Sequence, residues 1–176
     1  MGAFAVASGL MSWVRCFNVI MLRQKHSVLV NIMRKEKIIT IYPTIIKPGL
    51  AVSHYMPPDP VIFKNQYPAS CSFYLTSLMY FEAGRRYTTE LDVLFDGISV
   101  LTDEKQDDNL MESFMFSHID EDSTLVGSSL LVRKVNLERP GVYDINFKVY
   151  EDLDGKLSDA LDEKSCSFIA ATPMRT

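Results

Sequence analysis

Two stretches of the chain alternate apolar and polar side chains with a period of two. Tyr143, Ile145, Phe147 and Val149 fall on one side of an extended segment, and Asp144, Asn146 and Lys148 on the other. Tyr87, Thr89, Leu91, Val93 and Phe95 alternate in the same way with Thr88, Glu90 and Asp92. Successive side chains of a strand point to opposite faces, so the pattern predicts two strands with one face in a core and one in water. Pro140-Gly141 precedes the first stretch as a turn. Asp96-Gly97 closes the second, with Ile98 to Leu101 as a short continuation.

Weaker versions of the pattern fill much of the remaining chain. Residues 38–46, rich in Ile and Thr and broken by Pro43, predict an edge strand or a bulge. Ser72 to Phe81 predicts a strand, with Glu82-Ala83-Gly84-Arg85 as its hairpin turn. Phe114, Phe116 and His118 alternate with Met115, Ser117 and Ile119, and an acidic turn at 120–123 follows. Leu125 to Leu137 predicts one strand with a bulge at Gly127, and 164–171 a closing strand with Cys166, Phe168 and Ala170 on one face. Pro57, Pro58, Pro60 and Pro68 rule out a helix across 56–70, leaving an extended loop or edge, a linker or a long cross-sandwich connection. Strands at these spacings, divided by Gly, Pro and Asp, predict an all-β antiparallel sandwich, immunoglobulin-like or jelly-roll-like, over residues 38–171. Residues 172–176 form a tail, and 1–37 an apolar, basic segment with a weak helical period in 10–35.

That first segment admits several readings. Its apolar run, 3–22, is interrupted by Arg15. A secretory signal places positive charge ahead of the apolar region, and none stands there. A spanning helix has the length, but Arg15 near its middle costs about 2.5–3.5 kcal/mol on insertion scales. Val6 occupies the position where a myristoylation signal needs Ser or Thr. An interfacial helix remains, as does an over-extended reading frame with the natural start at Met33 or Met56. Membrane contact is expected only through this segment.

Charge separates the same two parts. The net charge of −4 combines +6 over residues 1–56 (seven basic, one acidic) with −10 over residues 57–176 (eleven basic, twenty-one acidic). An acidic body repels a phosphate backbone, so nucleic acid is not an expected partner. The basic part either touches an anionic surface or simply solvates apolar sequence. Cys16, Cys71 and Cys166 are widely spaced and odd in number, which favours reduced thiols and a cytoplasmic location. Cys71 and Cys166 are both expected in strands, where a sandwich makes them neighbours.

Candidate chemistry is sparse. His26, His54 and His118 each lack the second His of a metal pattern. His118 with Asp120, Glu121 and Asp122 is either an oxygen-rich metal site or a strand end running into a solvated acidic turn. Asp152, Asp154 and Asp159 surround Gly155 like the middle of a calcium loop, but Tyr150 and Leu161 stand where an EF-hand needs its two anchors. The plainer reading is a tight turn built on Asp-Gly, which tolerates positive φ. No nucleophile elbow or phosphate loop occurs, and Gly127-Ser128-Ser129 reads as small residues at a bulge. Arg85 and Arg86 form an anion clamp or a solvated tip. Phe73, Tyr74, Tyr80, Phe81 and Tyr87 line a groove or fill the core. No catalytic residue and no cofactor is expected.

Pro140-Gly141-Val142-Tyr143 leading into an alternating strand, with the Tyr87–Phe95 strand ending in Asp96-Gly97, resembles small bacterial β-sandwich proteins of unknown function. The likeness covers residues 70–170 and implies a fold without an activity. The expected function is that of a non-enzymatic sandwich, an accessory or structural module that binds a protein partner through its surface. The alternative is a carbohydrate- or calcium-binding sandwich using the acidic loops at 103–108, 120–122 and 151–159.

Overall fold

The computed structural model describes residues 36–46, 57–101 and 111–174. In chain order the strands are β1 (Lys37–Ile45), β2 (Val61–Phe63), β3 (Ala69–Glu82), β4 (Tyr87–Phe95), β5 (Ile98–Ser99), β6 (Met111–Asp120), β7 (Ser123–Leu137), β8 (Gly141–Leu153), β9 (Lys156–Leu157) and β10 (Asp162–Ala171). One sheet has the order β1-β3-β7-β6, the other β2-β10-β8-β4-β5, with β9 hydrogen-bonded to β8 beside that path. Every pairing is antiparallel except β2 with β10. The chain is therefore a β-sandwich, as the alternation predicts. The strand order selects the immunoglobulin form over the jelly roll: β1, β3, β7 and β6 match the A-B-E-D sheet, and β4, β8 and β10 match C-F-G.

The two alternating stretches lie side by side at the centre of the second sheet, Leu91 opposite Phe147 and Val93 opposite Ile145. Tyr143, Ile145, Phe147 and Val149 are each at most 1% exposed. They meet Phe73 and Leu75 of β3 and Val132 and Val135 of β7 across the core. Fully burying each such side chain is worth about 1.5–3 kcal/mol.

The turn before β8 is a tyrosine corner. Tyr143 Oη donates to the Arg139 carbonyl at 2.8 Å and accepts from the Arg139 N–H at 3.4 Å. This hydroxyl ties the start of the F-position strand back to its own corner. Two residues on, where antibody domains carry the second cysteine of their inter-sheet disulfide, stands Ile145. An aromatic series links the sheets instead: Phe95 to Tyr143 at 4.5 Å, Tyr143 to Phe168 at 5.2 Å, and Phe168 to Phe73 at 5.4 Å between ring centroids. Arg139 lies over Phe95 at 5.0 Å and pairs with Asp96, capping the series.

Three local expectations change, and a fourth is decided between its two alternatives. The turn after β3 is no hairpin, because β3 and β4 belong to different sheets; residues 83–86 form a corner across the sandwich. A Gly-containing turn marks the reversal but not which sheet receives the chain. Ile98-Ser99 does not continue β4. Asp96 and Gly97 both take positive φ, 50° and 79°, giving the twisted two-residue turn that folds β5 back on β4. Opposite Gly127 the extra residue is Phe114, on the partner strand β6. The bulge of β7 itself lies at Arg133-Lys134, where Lys134 has φ 54°. Finally, of the two readings of this Pro-rich segment the cross-sandwich connection holds: from Asp59, hydrogen-bonded to β1, residues 57–70 run to β2 at the edge of the second sheet and return to β3 in the first.

Candidate functional site

β1 and β2 are edge strands on the same side of the sandwich, and a seam of hydrogen bonds closes most of the gap between them. β1 is an edge strand, one of the two forms that the Pro43-broken pattern predicts; its bulge lies elsewhere, at the extra residue Ile39, while Pro43 pairs in regular register with Leu75. The backbone that Ile39 displaces is taken up by β10 side chains: Ile38 N–H donates to Asp162 Oδ2 at 2.7 Å, and Lys164 Nζ donates to the Ile39 carbonyl at 2.6 Å. Pro43 has no N–H to pair, but its carbonyl accepts from Asp59 N–H at 3.1 Å, while Ile45 N–H donates to the Asp59 carbonyl at 3.3 Å. Such devices deny an edge to other chains.

Beyond Ile45 the seam ends and a cleft of about 300 Å³ opens, lined by Ile45, Ile46, Val61, Ile62, Phe63 and Cys71, with Lys64 its charged residue. Phe63 is 63% exposed. Val61 pairs with Ile169 and Ile169 with Val142, so these three side chains stand in one outward row beside Phe63. Ile169 is 46% and Val142 56% exposed. Cleft and row form one apolar surface around the short edge strand β2. The Cys71 thiol in the cleft wall is pushed up to about 11 by burial, with Lys64 opposing, so it stays protonated and poorly nucleophilic at neutral pH. Cys166 is pushed up to about 12 by burial and by Asp144. Both thiols are free, and Cys16 lies outside the described residues.

The acidic candidates lie at another end of the sandwich. Ala83 N–H donates to the Asp122 carbonyl at 2.7 Å, and Asp152 N–H to the Arg86 carbonyl at 2.9 Å. The turns holding 120–122 and 151–159 thus flank the same 83–86 corner; the loop 103–108 lies outside the described residues, as do His26 and His54. The carboxylates have local partners. Asp120 Oδ1 accepts from Asp122 N–H at 2.9 Å, Asp152 Oδ1 from Gly155 N–H at 2.6 Å, and Asp154 faces Arg86 at 3.5 Å. Arg85 sits between Glu82 at 3.0 Å and Glu151 at 3.1 Å. Asp159 is exposed, and its carbonyl accepts from Ser158 Oγ at 2.7 Å. His118 is exposed on β6, its Nδ1 3.4 Å from Thr124 Oγ1. Among the described residues, no three of His, Cys, Asp or Glu are grouped as metal ligands.

Of the aromatic candidates, Phe73, Phe81 and Tyr87 enter the core, Phe81 stacking on Tyr87 at 4.3 Å. Tyr74 and Tyr80 face outward on the first sheet. No protein-family model, curated protein or solved structure matches the chain. The β2 surface is absent from the sequence-based expectations, although a signal existed. Val142 occupies the polar parity of the 142–150 alternation, and Ile169 the polar parity of 163–169. Apolar residues at solvent positions of otherwise regular strands are the mark of a contact surface.

Proposed function

We propose that this sandwich is a non-enzymatic binding module that holds a protein partner along the β2 edge. The observation that carries the reading is the continuity of the cleft with exposed Phe63, Ile169 and Val142. Its shape suits an apolar side chain of a partner seated in the cleft, with the flat row covered around it, the usual anatomy of an interface centre. The short β2 strand also offers backbone groups to an added extended segment. The acidic body argues for a protein and against nucleic acid. Protonated free thiols suit a cytoplasmic location, and no described helix is long and apolar enough to cross a membrane. The test is affinity purification from the source cells with Phe63→Asp beside the unaltered protein. A partner retained by the unaltered protein and lost with Phe63→Asp, at equal folding, supports the reading; identical retention defeats it.

Calcium or carbohydrate binding stands second, favoured by the convergence of two acidic turns on the 83–86 corner. It ranks lower because Arg85, Arg86 and turn amides already satisfy several of those carboxylates. A rise in melting temperature with calcium at micromolar to millimolar concentration would promote it.

A further inference from the structure

The cleft beside β2 opens where one edge strand stops and the next is left bare. The pairing of β1 with β3 ends at Ile45 and Phe73. Residues 69–72 of β3 run on past it, beside β7 on one side and no described strand on the other, and Cys71 and Ser72 of this stretch line the cleft. On the facing wall, Ile169 N–H donates to the Pro60 carbonyl at 2.7 Å and Lys64 N–H to the Ala171 carbonyl at 2.9 Å. The main chain at residues 60 and 64 thus faces β10, as does that of Ile62 between them. A strand's backbone groups alternate sides, so the N–H and C=O of Val61 and Phe63 point the other way. β2 ends its sheet, and no described strand takes those groups up. It also lacks the devices that guard β1: Val61-Ile62-Phe63 holds no proline, no charge and no bulge.

We propose, resting on the reading of the β2 edge as a partner surface, that the cleft receives an extended segment of the partner as a strand added to β2, with successive apolar residues and a carboxylate at the Lys64 end. The backbone groups of Val61 and Phe63 supply the pairing, as in other cases of peptide recognition by sheet extension. Side chains of an added strand alternate between its two faces. Those on the outer face extend the row of Val142, Ile169 and Val61 and pack beside Phe63. Those on the inner face enter the cleft toward Ile45, Ile62 and Cys71. Both surroundings are apolar, so the segment is apolar at neighbouring positions instead of alternating. Lys64 shares the parity of Ile62 and is the only charge in the lining. It makes no ion pair among the described residues. A carboxylate entering beside it gives that ammonium a charged hydrogen-bond partner. The same charge argues against a second copy: the stretch that would pair there, residues 60–64, brings another lysine and no carboxylate.

The experiment selects phage-displayed random peptides on the full 176-residue chain, with counter-selection on Phe63→Asp. Thermal melting checks that this variant folds, and Ile169→Asp serves as a second. The expected peptides share a run of apolar residues next to Asp or Glu. The tightest is then synthesised with single N-methyl groups along its backbone and titrated by fluorescence polarisation. Methylation at alternate residues, those bonded to β2, should weaken binding about tenfold or more, and at the residues between them about twofold or less. Replacing the peptide's Asp or Glu by Asn or Gln should weaken binding to the unaltered protein several-fold and leave binding to Lys64→Ala unchanged. Peptides with apolar residues three and four apart, or a methyl scan without alternation, overturn strand addition. So does the absence of any peptide enriched over the counter-selection. A dimer in sedimentation that dissociates in Phe63→Asp gives the edge to a second copy and also overturns it. A helical pattern or a flat methyl scan leaves the partner surface standing; that surface falls on its own test, when Phe63→Asp leaves retention from the source cells unchanged.

Discussion

Tyr143→Phe removes one oxygen from the centre of this fold and leaves everything else in place. The ring is fully buried and keeps its stacks on Phe95 and Phe168. What goes is the hydroxyl that accepts from the Arg139 N–H and donates to the Arg139 carbonyl. A hydrogen bond nets about 0.5–1.5 kcal/mol, and a partner left unsatisfied costs about 1–3 kcal/mol. Arg139 is at the surface, so water can replace part of the loss. The expected cost is therefore about 1–2 kcal/mol, or a melting temperature lower by about 2–8 °C for a chain of this size. Urea unfolding followed by fluorescence measures it directly: the midpoint should fall with an unchanged slope, since the surface exposed on unfolding is the same. Tyr143→Ala, which also removes the stacks, should cost about 3–5 kcal/mol. A Tyr143→Phe midpoint indistinguishable from the parent would refute the corner as a stabilising element and leave only ring packing.

Three further outcomes follow from the same core. Gly141→Ala would place a Cβ 2.8 Å from Phe95 Cε2, in a ring held between Arg139 and Tyr143, and should destabilise by about 1–3 kcal/mol in the same assay. Ser77 Oγ and Ser128 Oγ lie 2.7 Å apart on adjacent strands in the core. Either Ser→Ala should cost about 1–3 kcal/mol by stranding its partner, and the double variant less than the sum; strict additivity would exclude the bond. Burial raises both described thiols above their ordinary value of 9.0, Cys71 to about 11 and Cys166 to about 12. The unfolded chain then loses these protons first, so stability is unaffected below about pH 9 and falls as pH rises toward the folded values. Unfolding measured at pH 8, 9 and 10 should show that decline, with a shallower slope for Cys71→Ala.

The strands were legible because a half-buried strand writes its two faces into the sequence one residue at a time. β4 and β8 follow that rule along most of their length, and Pro43 marked β1 as an edge strand, though not the bulge at Ile39. What escaped was relational. The 83–86 turn has the residues of a hairpin, and only the competition among all strands for the core decides that β4 joins the other sheet. The bulge residue Phe114 and the extra residue in β7 at Arg133-Lys134 carry no glycine to announce them. The β2 surface escaped because a three-residue edge strand is too short to show a period, and because Val142 and Ile169 acquire meaning only once register puts them in one row. The acidic turns were legible as turns, while their meeting at one corner was not.

The central claim is that the β2 edge is covered by a partner. Photo-cross-linking in the source cells from benzoylphenylalanine at Phe63, with position 144 as the control, tests it most directly. The account predicts one discrete protein adduct from position 63 that disappears when Ile169→Asp is added. Equal labelling from both positions, or an adduct indifferent to Ile169→Asp, would contradict it.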